Sequence, residues 1–96
     1  MPLFHFIGLD RPDHLTVRMS VRPDHLEFAR DVVRLGGALL DEHGQPMGSV
    51  MILEAENLEA AKVKLDQDPY AKAGLFESTW LRPWRLAIGS LPGYEG

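Results

Sequence analysis

The sequence predicts an α+β fold in which a four-stranded antiparallel sheet carries two helices on one face. Two observations lead to this prediction. Apolar and amphipathic segments follow one another in the order β-α-β-β-α-β, which is the split βαβ plan. The first and third predicted strands are also the most apolar, and that plan puts those two strands in the middle of the sheet, where burial is greatest.

The N-terminal third predicts the first strand and the first helix. Residues 3–9 form a nearly continuous apolar run, which is typical of a buried strand. Ser20 is the predicted N-cap of the helix, with Pro23 in its first turn. Apolar residues then recur at helical spacing, and the predicted helix ends at Gly36-Gly37 in the left-handed C-cap conformation.

The rest of the chain completes the predicted order of elements. Three further strands are expected at residues 38–40, 48–55 and 76–82. Asn57 is the predicted N-cap of the second helix. Asp68 followed by Pro69 predicts one more helical turn, which ends at Gly74, and Pro83 is predicted to stop the last strand.

Size and apolar patterning predict a homodimer. Ninety-six residues fit a single domain spanning residues 1–96, with a core at about 3–88 and a tail at 89–96. Both faces of the two central strands are largely apolar. Because the helices cover one face, a second copy of the chain is the simplest cover for the other. Trp80, Arg82 and Trp84 fall on one side of the last strand, where they suit stacking, although aromatic residues on an edge strand more often form an interface.

Composition excludes several classes of protein. Fourteen acidic residues outnumber ten basic ones and give a formal net charge of −4, so no nucleic-acid partner is expected. The absence of cysteine excludes disulfides and thiolate chemistry. No segment is predicted to act as a signal peptide or to span a membrane, so we expect a cytoplasmic protein with no membrane partner. No phosphate-binding or dinucleotide-binding glycine motif is present, and no cofactor is expected.

His25 and Asp68 are the candidates for acid–base chemistry. His25 lies in the first turn of the predicted helix, where the positive end of the helix dipole would keep the imidazole neutral and usable as a base. Asp68 would accept the ring N–H, although Asp before Pro is also typical of a helix N-cap. The alternatives are a histidine satisfied at the edge of the core and an aspartate that only caps.

Arg18, Arg22 and Ser49 are the candidates for substrate binding. The two arginines flank the predicted helix start and would hold a small carboxylate through bidentate hydrogen bonds. Surface ion pairs with aspartates such as Asp10 are the alternative. Ser49, on an otherwise apolar strand, would line a pocket or simply allow close packing.

No metal site is expected from the four histidines. They show no recognised ligand spacing and have no cysteine companions. A metal-dependent protein would need His25 together with His5 or His43 around one ion.

A series of motifs runs along the chain: Ser20-Val21-Arg22-Pro23-Asp24-His25-Leu26, Gly36-Gly37-Ala38-Leu39-Leu40-Asp41, Gly48-Ser49, Glu54-Ala55-Glu56-Asn57-Leu58-Glu59-Ala60-Ala61, Asp68-Pro69-Tyr70 with Ala73-Gly74-Leu75, and Arg82-Pro83-Trp84. This ordered series resembles the YCII-related (YciI-like) proteins over about residues 3–88. The resemblance implies a ferredoxin-like fold that dimerises sheet to sheet into a dimeric α+β barrel. It also implies an active site built on a histidine and an aspartate, here His25 and Asp68. A few relatives are similar to lyases or dehydrochlorinases that act on small acids from aromatic-ring breakdown, and the wider superfamily includes muconolactone isomerases and monooxygenases.

Together these observations favour a cofactor-free enzyme that acts on a small carboxylic acid. In this hypothesis His25 moves a proton and Asp68 orients its ring, while Arg18 or Arg22 holds the carboxylate and Ser49 adds a hydrogen bond. The alternative is a non-catalytic dimeric module that binds a small metabolite or a protein partner.

Overall fold

A computed structural model of the chain describes residues 1–94. These residues form the elements β1 (Leu3–Asp10), α1 (Leu15–Val32), β2 (Val33–Leu40), β3 (Pro46–Glu54), α2 (Leu58–Asp66), α3 (Pro69–Lys72) and β4 (Phe76–Trp84). The strands make one antiparallel sheet in the order β2-β3-β1-β4. The predicted α+β fold, with the first and third strands in the middle, is confirmed. Among the described residues, no helix combines the length and the apolar character needed to cross a membrane.

One face of the sheet packs against the helices and forms the core. Directly paired residues of antiparallel strands share a face, so Phe6 of β1 lies beside Met51 of β3. Gly8 leaves room on this face for the ring of Phe76, because a Cβ atom there would lie 2.7 Å from the Phe76 Cδ1 atom. The buried core consists of Phe4, Phe6, Met51, Leu53, Ala55, Ala61 and Leu65.

The opposite face of the sheet is largely open. Trp80 and Trp84 share one side of β4, as predicted, and that side belongs to the open face; 52% and 37% of their respective surfaces are exposed. The segment after β4 covers one corner, where Leu91 packs with Leu3 and Ile52. Residues 95 and 96 of the predicted tail lie outside the described residues.

The start of helix α1 differs from the prediction. The helix begins at Leu15, so Ser20 as its N-cap is wrong, and the residue that does occupy the cap position makes no side-chain cap hydrogen bond. A buried ion pair between Arg18 and Asp10 anchors the first turn instead. Pro23, predicted in the first turn, lies inside the helix, where it lacks the N–H that would continue the hydrogen-bond ladder.

The end of helix α1 differs as well. The helix stops at Val32 and the chain passes directly into β2, so the predicted helix end at Gly36-Gly37 is wrong. Neither glycine has the positive φ that a left-handed C-cap needs. Both glycines lie in the edge strand β2, where they pair with Met51 and Val50 of β3.

The later caps are confirmed, whereas the end of the last strand is not. The Asn57 side chain accepts a hydrogen bond from the Ala60 N–H at 2.8 Å, and Gly74 after α3 has a φ of 69°. Pro83, predicted to stop the last strand, lies within β4. An edge strand tolerates proline because one side of its backbone has no partner strand.

Candidate active site

Helix α1 turns a polar face toward the sheet. Its two buried residues are Arg18 and His25, which are seven positions apart and so lie two turns apart on one side of the helix. Arg22 occupies the turn between them. Leu26, the residue after His25, is 45% exposed. Because arginine and histidine are seldom buried without a partner, this face of α1 is expected to make polar contacts with neighbouring elements.

His25 and Asp68 form a buried, hydrogen-bonded pair. Nδ1 of His25 lies 2.8 Å from Oδ1 of Asp68, and the two side chains are 11% and 1% exposed. The same oxygen accepts the backbone N–H of Tyr70 at 2.9 Å. Because an ionised carboxylate only accepts, Nδ1 carries the hydrogen and the lone pair of the neutral ring lies on Nε2. Asp68 therefore caps α3 and pairs with His25 at once.

The two carboxylate oxygens of Asp68 differ in their contacts. Oδ2 is buried and has no hydrogen-bond partner within residues 1–94. A buried carboxylate with one unpaired oxygen is poorly compensated. Within residues 1–94, the hydrogen bonds of the Asp68 side chain to His25 and Tyr70 therefore run through Oδ1 alone.

Tyr70 packs against both buried residues of α1. Its ring stacks on His25 with 4.0 Å between centroids, and the Arg18 Cζ atom lies 4.6 Å from its centroid. Burial raises the pKa of Tyr70, and the nearby charges of Arg18 and Arg22 offset only part of that effect. The phenol is therefore neutral at physiological pH and has a proton to donate.

Arg18 is held by a network of its own. Its Nε and Nη2 atoms donate to the two carboxylate oxygens of Asp10 at 2.6 and 2.8 Å, and Nη2 also donates to Ser49 Oγ at 2.9 Å. Burial alone would lower the pKa of Arg18, but the hydrogen bonds and charge of Asp10 raise it above its ordinary value. The sequence left an ion pair with Asp10 open as an alternative; the structure shows this pair, although it is buried rather than on the surface.

A cavity of about 460 Å³ opens beside these residues. His25, Arg22, Ser49 and Tyr70 line it from the helical side and the sheet, while residues 36–38 of β2 close another side. A volume of this order suits a small molecule. The two glycines of β2 line this side of the cavity with backbone alone.

Comparison with known proteins identifies the family. Residues 3–85 match the family model of the YCII-related domain. The chain belongs to the YCII-related family. Among its relatives, Protein YciI of Escherichia coli is 34% identical over 95 aligned residues, which cover 86% of this chain and 96% of that protein. An uncharacterised protein of Haemophilus influenzae is 33% identical and covers 79% and 89% of the two chains.

Solved structures agree with the fold of this YCII-related chain. A 5-chloro-2-hydroxyhydroquinone dehydrochlorinase of Burkholderia phenoliruptrix, solved with 2,5-dihydroxybenzoquinone, is 30% identical with a TM-score of 0.79, covering 88% of this chain and 95% of that one. An uncharacterised NIPSNAP domain protein of Burkholderia xenovorans has a TM-score of 0.52 at 14% identity, covering 91% and 95%. The second likeness concerns the fold alone.

The structure brings the predicted site residues of this YCII-related chain together, but not for every reason predicted. His25 lies in the middle of α1 rather than in its first turn, so the helix dipole does not account for a neutral ring; the hydrogen bond to Asp68 sets the tautomer. Arg18 and Arg22 likewise lie within the helix and do not flank its start. Ser49 lines the cavity, as one of the alternatives for it predicts, and accepts a hydrogen bond from Arg18.

Tyr70 and Arg30 also line the cavity, although the sequence patterns do not single them out as site residues. Tyr70 enters the sequence analysis only within the Asp-Pro-Tyr motif. The sequence signal that could have indicated the cavity is the spacing of Arg18, Arg22 and His25 at positions i, i+4 and i+7. This spacing places three polar side chains on one face of the helix.

The histidines do not converge on a metal site. His5 lies on the open face, with its ring centroid 6.4 Å from that of Trp84, so the sheet separates it from His25. His43 is exposed in the turn before β3. The described residues contain no group of three or more histidine, cysteine, aspartate or glutamate side chains placed to hold a metal ion.

Proposed function

We propose that this YCII-related protein is an enzyme that moves a proton on a small carboxylic acid, with His25 as the general base. One observation carries the proposal. The His25 ring is hydrogen-bonded through Nδ1 to buried Asp68 and also lines a cavity of about 460 Å³. A base needs its free nitrogen beside the substrate and its other nitrogen held by an orienting group.

The proposed chemical step is an elimination or an isomerisation. Nε2 of His25 takes a proton from a carbon next to the substrate carboxylate. In an elimination, the electron pair of that C–H bond forms a C=C bond while a leaving group on the neighbouring carbon departs with its own bonding pair. In an isomerisation, the proton returns to another carbon of the same molecule. Both reactions balance without an oxidant or a reductant, so neither requires a redox cofactor.

The neighbouring residues support this step in different ways. Asp68 keeps the proton on Nδ1 and stabilises the imidazolium that forms. Arg22 is assigned to the substrate carboxylate. Arg18 is engaged by Asp10, so we assign it to positioning Ser49 and Tyr70 rather than to substrate. Because Ser49 Oγ accepts from Arg18, its own hydrogen is left to donate toward the cavity.

The likeness to a dehydrochlorinase supports the elimination form of the proposal. That protein is 30% identical to this chain, and its name describes the removal of hydrogen chloride. Such a reaction joins the loss of a proton to the departure of chloride, which is the pairing of events proposed for His25. The substrate named for that protein is a hydroxylated ring, so the carboxylic acid proposed here rests on the arginines of this cavity.

Proton exchange in D₂O tests the proposal even where the reaction product is unidentified. A panel of small carboxylic acids, with and without a leaving group, is incubated with the protein, and NMR follows deuterium entry or elimination. His25→Asn is expected to reduce the rate at least about a hundredfold, which is the scale of general base catalysis. His43→Asn, at an exposed histidine that does not line the cavity, is the matched control.

Binding without turnover is the outcome that would overturn the catalytic proposal. If acids of the panel bind wild type and His25→Asn equally and neither protein exchanges a proton, the non-catalytic binding module is the better account.

We further propose that the open sheet face binds a second copy of the chain. Trp80 stands opposite Ile7 in the β1–β4 register, and Trp84 stands opposite Leu3, so exposed aromatic rings continue an apolar face. Exposed apolar patches of this kind are typical of interfaces. Analytical ultracentrifugation is expected to give a dimer for wild type and a monomer for Trp80→Glu. Leu58→Glu, at an exposed leucine of α2, should stay dimeric; a monomeric wild type would contradict the proposal.

A further inference from the structure

The cavity beside His25 has an unusual charge for an acidic protein. Four arginines line it, and its lining within residues 1–94 contains no aspartate or glutamate, although the chain carries a formal net charge of −4. The four are Arg18, Arg22, Arg30 and Arg34. Such concentration of one sign of charge in a concave site attracts ligands of the opposite sign.

Two of these four charges are compensated within the protein. Arg18 forms its ion pair with Asp10, and Arg34 forms one with Glu54. Arg22 and Arg30 are exposed, and within residues 1–94 neither takes part in a salt bridge or a side-chain hydrogen bond. The cavity therefore presents two uncompensated positive charges rather than one.

The two uncompensated arginines stand on either side of His25 along α1. Arg22 precedes His25 by three residues, or about 4.5 Å of helix rise, and Arg30 follows it by five, or about 7.5 Å. A single carboxylate bound beside Arg22 would leave Arg30 without a partner. A ligand with two separated anionic groups would use both and would place the carbon between them near the ring.

We propose that the substrate of this site is a small dicarboxylic acid, whose first carboxylate contacts Arg22 and whose second contacts Arg30. This inference rests on the proposed function, because it concerns the same cavity and the same base. Arg22 then lies beside the carbon that loses its proton, where it stabilises the charge that develops on the first carboxylate. Arg30 lies too far along the helix for that role and serves for binding and specificity.

Isothermal titration calorimetry with two matched probes tests the inference. Glutarate carries two carboxylates, whereas its monoamide has the same length and shape but one charge fewer. Wild type is expected to bind glutarate about tenfold more tightly or better, since one additional hydrogen-bonded charge pair contributes on that scale. Arg30→Gln should abolish this preference by weakening glutarate binding alone. Lys62→Gln, which removes one positive charge from the exposed surface of α2, should keep the preference.

Each outcome bears on the inference separately from the proposed function. Equal affinity of wild type for both probes, or an equal loss for both in Arg30→Gln, would overturn it. Calorimetry does not depend on His25 as a base, so a preference for glutarate without any proton exchange dependent on His25 would refute the proposed function alone. Proton exchange dependent on His25 without a preference for two charges would refute the dicarboxylate alone. Circular dichroism melting of Arg30→Gln checks that the variant is folded.

Turnover separates the two arginines further once a substrate of this class is found. Arg30→Gln is expected to raise KM with little change in kcat, since binding to Arg30 is the same in the ground state and the transition state. Arg22→Gln is expected to lower kcat as well. The reverse pattern would contradict the assignment of Arg22 to the reacting end.

Discussion

The imidazole of His25 lies nearly parallel to the phenol ring of Tyr70, with 4.0 Å between the ring centroids and 14° between the planes. Tyr70 also donates its backbone N–H to the Asp68 oxygen that holds His25. The segment around α3 therefore fixes the His25 ring at its edge and on its face. Aromatic contacts contribute about 0.5–1.5 kcal/mol beyond burial, so tertiary packing, rather than the local sequence of α1, sets the orientation of the ring.

Substitutions of Asp68 separate its capping role from its pairing role. Asparagine caps a helix as well as aspartate does, but it carries no charge to stabilise an imidazolium. Asp68→Asn is therefore expected to stay close to wild type in its thermal midpoint while its proton exchange rate falls about a hundredfold or more. Asp68→Ala should lose the rate and also about 2–3 kcal/mol of stability, because the cap is gone and the buried His25 N–H loses its acceptor.

The comparison of the two Asp68 variants is the decisive measurement. Thermal denaturation reports the cap, and NMR proton exchange reports the pair. If Asp68→Asn kept the full exchange rate, Asp68 would be a cap alone, and the role proposed for the pair would be wrong.

The buried ion pair between Arg18 and Asp10 should be strongly coupled. Both side chains are less than a tenth exposed, so Arg18→Met leaves an unpaired buried carboxylate, which costs about 3–5 kcal/mol in the free energy of unfolding. Replacing both partners, with Arg18→Met and Asp10→Asn together, should cost much less than the sum of the single changes. Urea unfolding of the four proteins measures this coupling. Additive losses would show that the pair contributes no specific interaction.

The sequence predicted the order of elements because each strand and both later caps depend on local residues. Asn57 and Asp68 cap their helices through side chains within two or three positions, and such contacts are readable from spacing. The start of α1 could not be predicted from local residues, because its N-cap residue makes no side-chain hydrogen bond. The contact that anchors it joins Arg18 to Asp10 across the connection between β1 and α1. Tertiary contacts of this kind override local preference.

The candidate site was predictable in part for the same reason. The family motifs placed His25 and Asp68 together, 43 positions apart in the chain, which spacing alone did not settle. The cavity was less predictable, since Arg30 and Gly36 reach it only because α1 ends at Val32 and the chain enters β2 directly. A helix that continued to Gly36-Gly37, as predicted, would not place residues 33–37 in a strand beside the cavity.

Tyr70 should make stability depend on pH in the alkaline range. Burial raises its pKa above the ordinary tyrosine value, so the folded protein holds the phenol proton more tightly than the unfolded chain does. The stabilisation is complete below about pH 10, the ordinary tyrosine pKa, and is lost as the pH rises from there toward the folded pKa. The free energy of unfolding of wild type should therefore fall faster above about pH 10 than that of Tyr70→Phe. Parallel pH profiles of the two proteins would contradict this.

The segment after β4 should contribute measurably to stability through Leu91. This side chain is 5% exposed and packs with Leu3 and Ile52 on the face of the sheet that the helices leave open. Leu91→Ala removes buried methyl groups and leaves a cavity, which costs about 2–5 kcal/mol in core positions. Ile88→Ala is the matched control, because Ile88 lies in the same segment but is 93% exposed, and exposed substitutions cost within about 0.5 kcal/mol. Urea unfolding of both variants at one protein concentration measures the difference. Equal stabilities of the two variants would mean that this segment does not hold the corner of the sheet, and that Leu3 and Ile52 gain no support from it.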